Sequence, residues 1–327
     1  MKLLVFKVLL YAVLIAISLE VIVRFFHLYD EYPHFIINDK NVKTYAPSQN
    51  GYAVKGNRLM NFAEYHINNS GFNSYREFTP TKNGTDVAII GDSFIEGFHQ
   101  NYYNSIGRKI ENKLGNNIPV FEYGHSGYDF ADQLHLINAY KDKFELIDYI
   151  FIYLKFENDL KRNSYQPDQY WIDSQYFLTS RIERKVKLFN YLDNMGLTEP
   201  FKEIKRDIVS AFAPTSNKQT DSTEAVVLQK TNHSTYLKNF KTLVNTYGFN
   251  KNKTVIVLDS RYTSTSFLNY CDSVNYKYLD FGMAFEKSKT PTTLIYDMHW
   301  NNHGRNMVAN VIANYIKQEE TLKTESK

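Results

Sequence analysis

The sequence predicts an α/β fold built on a doubly wound parallel sheet, and three features carry this prediction. Residues 87–90, Val-Ala-Ile-Ile, form an apolar run typical of a strand buried on both faces. Gly91, Asp92 and Ser93 follow where a strand would turn into a helix. Short apolar runs then alternate with helical patterns along much of the chain, as expected for βαβ units.

The predicted elements follow one another at the spacing of such units. The strands are residues 86–90, 118–122, 149–154, 254–258 and 277–281, and the helices are residues 105–114, 131–143, 181–192, 236–247 and 306–317. Residues 161–250 are too long for a simple connection, so we expect an insertion there, a candidate cover for the site, with loops at 165–171 and 211–223. The polar tail, residues 318–327, is expected to be disordered.

Composition limits the classes of function. The 327 residues carry a formal net charge of +3 and contain no basic block, so nucleic-acid binding has little support. The single cysteine, Cys271, excludes an internal disulfide and a thiolate metal cluster. We expect no cofactor and no metal. The 26 Tyr and 23 Phe are attributed to compositional bias and not to ligand binding.

The N-terminus, residues 1–27, is predicted to be a membrane anchor. Residues 3–23 form one apolar helical stretch of the ~20 residues that a bilayer span needs. Glu20 and Arg24 are four residues apart and can pair on one helix face near the membrane surface. A cleaved signal peptide is the alternative, with Ala16-Ile17-Ser18 as its small-residue site, although the apolar run continues beyond it. A buried core helix is a third possibility.

Charges around this helix predict its orientation. Lys2 and Lys7 lie at its start, and Asp30 and Glu31 follow its end. Basic residues favour the cytoplasmic side, so we expect a single-pass protein whose N-terminus is cytoplasmic and whose remainder is extracytoplasmic. Secretion after signal-peptide cleavage is the alternative. Residues 28–64 are predicted to be a linker and lead-in, and residues 65–317 the sheet-bearing domain.

Ser93 is a candidate nucleophile if the chain supplies a base and a carboxylate to orient that base. Asp297 and His299 precede the closing helix and, two apart in an extended loop, project to the same side. The carboxylate can then bind one ring nitrogen while the other faces Ser93. Helix capping without chemistry is the alternative for Asp92-Ser93 and for Asp297-x-His299.

Acyl chemistry also needs donors for the oxyanion. The candidates are the amides of Ser93 and Gly127 and the side-chain amide of Asn158. All three follow successive predicted strands, so they can converge at one edge of the sheet. A turn glycine and a helix cap are the ordinary alternatives for Gly127 and Asn158.

These ordered motifs resemble the four blocks of the SGNH hydrolases, also called GDSL esterases. The blocks are Gly91-Asp92-Ser93, Gly127, Asn158-Asp159 and Asp297-x-His299, and the resemblance covers roughly residues 65–317. It implies a flavodoxin-like three-layer α/β/α sandwich that hydrolyses esters or transfers acyl groups. It also implies that Ser93 is the nucleophile, His299 the base and Asp297 its orienter, with Ser93, Gly127 and Asn158 as the oxyanion hole.

The sequence departs from the pattern of that family at three points. Phe94 replaces the usual leucine, Glu157 stands where a glycine commonly precedes the asparagine, and Asp297 and His299 are two apart instead of three. The form Asp-x-His-Trp-Asn, residues 297–301, resembles a membrane-associated branch that includes polysaccharide O-acetyltransferases. The N-terminal anchor and the lead-in residues 69–72 also resemble that branch.

The sequence-based hypothesis is therefore an acyl-enzyme on Ser93 that acts on acyl esters, acetyl esters foremost, of a cell-surface saccharide. A catalytically idle glycan-binding or assembly protein and a lipase-like esterase are the alternatives. Hydrolysis versus transfer, the acyl donor and acceptor, oligomeric state and protein partners stay open. Trp171 is a candidate for stacking on sugar rings. Surface or packing roles are predicted for His99, His125, His135 and His303.

Overall fold

The computed structural model describes residues 1–55, 60–199 and 225–325 of the chain, without the side chains of Thr179 and residues 225–231. The chain forms two compact units. The anchor unit contains Met1–Tyr32 and the described residues of Tyr52–Phe62 and Asp168–Thr223. The sheet unit contains Pro33–Gly51, Ala63–Pro167 and the described residues of Glu224–Lys327.

Nine strands are assigned in the described part of the chain. They are β1 (Phe35–Ile37), β2 (Lys43–Tyr45), β3 (Asn50–Lys55), β4 (Asn61–His66), β5 (Val87–Gly91), β6 (Val120–Gly124), β7 (Tyr149–Tyr153), β8 (Thr254–Leu258) and β9 (Tyr278–Asp280). Strands β5 to β9 form one parallel sheet in the order β6-β5-β7-β8-β9. This is the flavodoxin-like order, whose topological switch point lies between β5 and β7.

Thirteen α-helices are assigned in the same ranges. They are α1 (Lys2–Phe25), α2 (Ser93–Glu96), α3 (Ile106–Lys113), α4 (Phe130–Ala139), α5 (Lys141–Phe144), α6 (Phe156–Asp159), α7 (Gln169–Ser174), α8 (Leu178–Lys185), α9 (Lys187–Asn194), α10 (Ala225–Tyr247), α11 (Thr265–Ser273), α12 (Gly282–Glu286) and α13 (Asn302–Glu325).

The sheet separates two apolar cores, which confirms the three-layer sandwich. On one face Ile90, Ile152 and Ile256 pack in a core that includes side chains from α4 and α10. On the other face Ile89 and Phe151 pack in a core with side chains from α3 and α13. Successive side chains of a strand point to opposite faces, so a strand between two helical layers must be apolar throughout.

Two predicted irregular or intervening regions differ from the structure. The lead-in contains strands β1 to β4, with β1 and β2 paired antiparallel. The C-terminal part of the predicted insertion is α10, which packs on α4 and carries the chain from β7 to β8. It is therefore a layer of the fold, held by the buried side chains of Phe240 and Leu243. The predicted loop at 211–223 lies outside the described residues.

The prediction of a disordered tail is wrong for residues 318–325, because α13 continues to Glu325. Glu320 is the reason that the structure offers. Its carboxylate accepts hydrogen bonds from the hydroxyls of Thr85 (3.1 Å) and Tyr149 (2.7 Å) and pairs with Lys323 (2.9 Å). The last turns of the helix are thereby fastened to the sheet unit.

Smaller differences concern breaks in helices. The predicted helix 181–192 is two helices, α8 and α9, separated at Val186, whose backbone is extended (φ −109°, ψ 93°). Residues 169–171 belong to helix α7, which Asp168 caps by accepting from the Trp171 amide (3.1 Å). The predicted helix 131–143 is divided into α4 and α5 at Tyr140.

Helix α1 is long and apolar enough to cross a membrane, by length and composition, although an N-terminal signal sequence would share both properties. Its best 18-residue window has a mean hydropathy of 2.4. The predicted pairing of Glu20 with Arg24 is present, at 2.7 Å.

Candidate active site

The turn after β5 places Ser93 at the first position of helix α2. The Asp92 carboxylate caps this helix by accepting from the Phe94 amide (2.9 Å), so the capping interpretation holds for Asp92. Two glycines allow the close approach of α2 to the sheet. A Cβ on Gly91 would lie 2.4 Å from Ile95 Cγ1, and one on Gly124 would lie 1.9 Å from the Glu96 amide nitrogen.

Ser93, His299 and Asp297 form one hydrogen-bonded chain. The Nε2 atom of His299 lies 2.7 Å from Ser93 Oγ. Its Nδ1 atom hydrogen-bonds Asp297 Oδ1, which also accepts from the His299 backbone amide at 2.8 Å. A neutral ring with its proton on Nδ1 therefore leaves Nε2 free to accept the Ser93 proton. Partial burial tends to raise the pKa of Asp297, but the hydrogen bonds from His299 outweigh it and hold that pKa well below its ordinary value.

The three predicted oxyanion donors lie around one cavity. Ser93, Gly127 and Asn158 all contribute to the wall of a cavity of about 450 Å³. Gly127 follows β6 in a turn with a positive φ of +76°, a conformation that favours glycine. Asn158 lies in the short helix α6 that follows β7. The carboxyl ends of three neighbouring strands thus bring these residues together, as the strand order requires.

A buried carboxylate behind Ser93 holds the turn that contains Gly127, and sequence reasoning did not identify it. Glu96, the last residue of α2, accepts from the Ser126 amide (2.7 Å) and from the hydroxyls of Ser126 and Tyr45. Burial raises the pKa of Glu96, against the opposing effect of these hydrogen bonds. The only sequence signal was its position three residues after Ser93 on the same helix.

Lys155 connects the turn that contains Ser93 to the end of β7. Its Nζ lies 2.5 Å from Asp92 Oδ2 and 4.8 Å from the centroid of the Phe94 ring. Phe94, which replaces the usual leucine of the pattern, packs at 4.5 Å from the His299 ring and at 4.9 Å from Trp300. Phe94 therefore contacts both the His299 ring and the Trp300 ring.

His99 lies at the candidate triad and is not a remote surface residue. Its Nε2 atom is 3.5 Å from Asp297 Oδ2, and its ring stacks on that of His299 with centroids 4.1 Å apart. Single ligand atoms of His99, Asp297 and His299 lie within 4.8 Å of one another, a spacing that could hold a metal ion. The sequence pattern missed this group because His99 is about 200 positions from its partners.

The other three histidines that the sequence assigns to surface or packing roles, His125, His135 and His303, make local contacts. His125 stacks on Tyr45 at 4.4 Å, and burial holds its pKa well below the ordinary value. His135 stacks on Tyr165 at 3.9 Å, and His303 lies 3.0 Å from the Ser288 hydroxyl.

A second cavity, of about 460 Å³, adjoins the first. The two cavities share Lys155 and Asn158 in their walls. Aromatic side chains line much of the second one, among them Phe94, Tyr262 and Trp300, together with the polar side chain of Arg261. Such a mixture of aromatic faces and hydrogen-bonding groups is typical of ligand cavities.

No protein-family model matches the sequence, and no curated protein does either. Solved structures that are similar include a lipase/acylhydrolase from Enterococcus faecalis, with 11% identity and a TM-score of 0.40, covering 72% of this chain and 97% of that chain. A carbohydrate acetylesterase family member from Sinorhizobium meliloti has 12% identity and a TM-score of 0.36, covering 72% of this chain and 98% of that one. A member of the lipolytic protein G-D-S-L family from Veillonella parvula has 14% identity and a TM-score of 0.35, with 69% and 95% covered. These are proteins to which the chain is similar.

Proposed function

We propose that this chain is a membrane-anchored serine enzyme of the SGNH type that cleaves or transfers acyl esters through an acyl-enzyme on Ser93. One observation carries the proposal, namely the continuous hydrogen-bonded chain from Asp297 through His299 to Ser93. A serine hydroxyl is a weak nucleophile at neutral pH, and an imidazole at 2.7 Å is placed to remove its proton.

The first half-reaction follows from this geometry. Ser93 Oγ attacks the ester carbonyl carbon while its proton passes to His299 Nε2. Asp297, whose pKa is held well below its ordinary value, stays ionised and stabilises the imidazolium. The carbonyl oxygen becomes an oxyanion, for which the amides of Ser93, Gly127 and Asn158 are the candidate donors. When the intermediate collapses, the leaving alkoxide takes the proton from His299 and departs as an alcohol.

The second half-reaction returns Ser93 to its free state. A water molecule or an acceptor hydroxyl gives its proton to His299 Nε2 and attacks the acyl-enzyme carbonyl. Collapse of the second intermediate restores the Ser93 hydroxyl and releases either a carboxylic acid or a new ester. Which acceptor reacts depends on how well water is excluded from the acyl-enzyme.

The proposed substrate is an acyl ester, foremost an acetyl ester, of a cell-surface saccharide. The aromatic cavity beside Asn158 supports this choice, because aromatic faces and polar side chains together suit a ring that carries both C–H and hydroxyl groups. The apolar helix α1 supports attachment to a membrane. Lys2 and Lys7 at its start favour an extracytoplasmic position for the rest of the chain, where it would meet such saccharides.

A fluorophosphonate probe tests the nucleophile on the full-length protein in detergent. We expect wild type to be labelled and Ser93→Ala to remain unlabelled, since the probe forms a covalent bond with an activated serine. Ser273→Ala is the matched control, because it removes a serine hydroxyl that donates to the Tyr270 carbonyl within helix α11 and leaves Ser93 and its contacts in place. Equal labelling of Ser93→Ala and wild type would overturn the assignment. Release of acetate from an O-acetylated saccharide, against transfer to a second saccharide, then distinguishes hydrolysis from transfer.

A further inference from the structure

The end of helix α1 is clamped to the junction between helices α8 and α9 of the anchor unit. The Glu20 carboxylate accepts hydrogen bonds from the backbone amides of Lys187 (3.0 Å) and Leu188 (2.6 Å), the first residues of α9. Arg24 Nη2 donates to the carbonyl of Lys185 (2.6 Å), the last residue of α8. The negative Glu20 thus accepts from free amides at the N-terminus of α9, and the positive Arg24 donates to a free carbonyl at the C-terminus of α8. Each charge is opposite in sign to the helix dipole end that it contacts.

The residues after α1 strengthen this attachment. The Asp30 amide donates to the Asn190 side chain (2.8 Å), and Lys187 Nζ lies 3.4 Å from Glu31 and 4.3 Å from the centroid of the Tyr29 ring. Val23 of α1 is only 2% exposed. Helices α8 and α9 therefore occupy a fixed position at the C-terminal end of α1.

That position coincides with a membrane surface if α1 spans the bilayer, as the proposed function requires. The stretch from Leu3 to Leu19 is about 25 Å long at ~1.5 Å per residue, close to the ~30 Å hydrocarbon thickness of a bilayer. Glu20 and Arg24 follow this stretch directly, so they lie at headgroup level on the far side. The α8–α9 junction that they hold must lie at the same level.

Residues 169–185, which form α7 and α8 and are here called the interface segment, expose large apolar and aromatic side chains. Leu178 is 74% exposed, and Tyr170 is 71% exposed. Four further large side chains of the segment are each at least 41% exposed, namely Trp171, Tyr176, Phe177 and Ile182. Contiguous apolar patches of this kind mark interaction sites in most proteins, because water contact with them is unfavourable.

The basic residues beside the apolar stripe of α8 favour a lipid surface over another apolar partner. Leu178 and Ile182 are four residues apart on α8 and share a face, and the exposed Arg181 and Lys185 flank them. Amphipathic helices with basic residues beside the apolar stripe lie in the headgroup region, where the cations meet phosphates. Tryptophan and tyrosine are enriched at the same depth, which suits Trp171, Tyr170 and Tyr176.

From these observations we infer that the interface segment is a monotopic membrane-binding element that lies in the headgroup region of the extracytoplasmic leaflet. Its ligand is phospholipid, bound through apolar insertion and phosphate contacts beside the anchor. The interface segment would then hold the anchor unit against the membrane surface, in addition to the attachment that α1 provides. The inference rests on the membrane span of the proposed function and is independent of the chemistry at Ser93.

Tryptophan quenching by brominated lipids tests this inference, because the chain contains only two tryptophans and Trp300 is 3% exposed. Full-length protein is reconstituted in nanodiscs of phosphatidylcholine and phosphatidylglycerol brominated at acyl carbons 6 and 7 or at carbons 11 and 12. We expect stronger quenching by the shallow bromines, and we expect Trp171→Phe to abolish the quenched component.

A double variant and a control variant test whether the quenching of Trp171 depends on the apolar stripe of α8. The double substitution Leu178→Ser and Ile182→Ser should reduce the quenching of Trp171, whereas Leu322→Ser, an exposed leucine on a helix of the sheet unit, should not. A chain that remains with the nanodisc but shows no quenching would overturn the inference and indicate that something other than lipid covers the segment. A chain that does not remain with the nanodisc would instead contradict the proposed anchor. Neither result changes fluorophosphonate labelling of Ser93.

Discussion

The Nε2 atom of His99 lies 3.5 Å from the Oδ2 atom of Asp297, so the carboxylate that orients His299 contacts a second imidazole as well. The His99 and His299 rings are stacked, with a centroid distance of 4.1 Å. Asp297 therefore has one oxygen at each ring. We expect this second contact to make His99 a positioning residue that helps to fix the carboxylate beside His299.

Replacing His99 by Phe keeps a ring on His299 and removes the contact with Asp297. We expect kcat for ester hydrolysis to fall about fivefold with little change in KM, since loss of an ionic contact of this kind costs up to about 1 kcal/mol. His135→Phe is the matched control, because His135 is also a stacked histidine but contacts Tyr165 instead. An unchanged kcat in His99→Phe would show that His99 does not act as a positioning residue for Asp297.

Glu96→Gln tests whether the buried carboxylate positions the turn that contains Gly127. The glutamine keeps the volume and weakens the charge-assisted hydrogen bonds to Ser126 and Tyr45. We expect kcat to fall about tenfold or more at nearly constant KM, because an oxyanion donor acts mainly in the transition state. Glu145→Gln, at a carboxylate that is 60% exposed and lies outside both cavities, should leave both constants unchanged. A loss of stability in Glu96→Gln without a change in kcat would indicate that Glu96 has a purely structural role.

The raised pKa of Glu122 predicts that the free energy of unfolding depends on pH, independently of the candidate catalytic residues. Burial raises the pKa of this carboxyl from 4.5 to about 7, although it accepts from the Ser105 hydroxyl (2.6 Å) and the Gly107 amide (2.7 Å). Because the folded-state pKa lies above the unfolded value, the group contributes stability below pH 4.5 that is lost as the pH rises through 7. Glu122→Gln should therefore have a smaller fall in Tm between pH 5 and pH 8 than wild type in the same detergent. A parallel pH profile for both proteins would contradict this assignment.

Removing the carboxylate of Glu20 should loosen the clamp between α1 and α9. In Glu20→Ala the amides of Lys187 and Leu188 lose their acceptors, and loss of a helix cap costs about 1 kcal/mol. We expect hydrogen exchange of the first turn of α9 to accelerate several-fold in nanodiscs. Ser18→Ala is the control, since its hydroxyl bonds only within α1, to Leu14. Identical exchange in Glu20→Ala and wild type would show that the clamp does not hold α9.

The sequence by itself determined the parallel sheet and the order of its chemistry. Four mainly apolar runs gave strands β5 to β8 within about two residues at each end, because strands buried on both faces must be mainly apolar. A mixed run gave the edge strand β9, which is only partly buried, to within one residue at each end. The carboxyl-end position of Ser93, Gly127 and Asn158 followed from the same pattern, whereas the pairing of Asp297 with His299 followed from their spacing of two residues in an extended loop. Local patterns of this kind are written in consecutive residues and need no knowledge of distant contacts.

Only the tertiary structure decided which distant side chains join them. His99 and Glu96 are ordinary polar residues in the sequence, and their contacts with Asp297 and Ser126 arise from the packing of loops from different strands. The continuation of α13 to Glu325 depends on the distant Thr85 and Tyr149, and the role of Glu20 depends on the amides of α9. Such contacts join residues that are tens to hundreds of positions apart, and local propensity does not encode them.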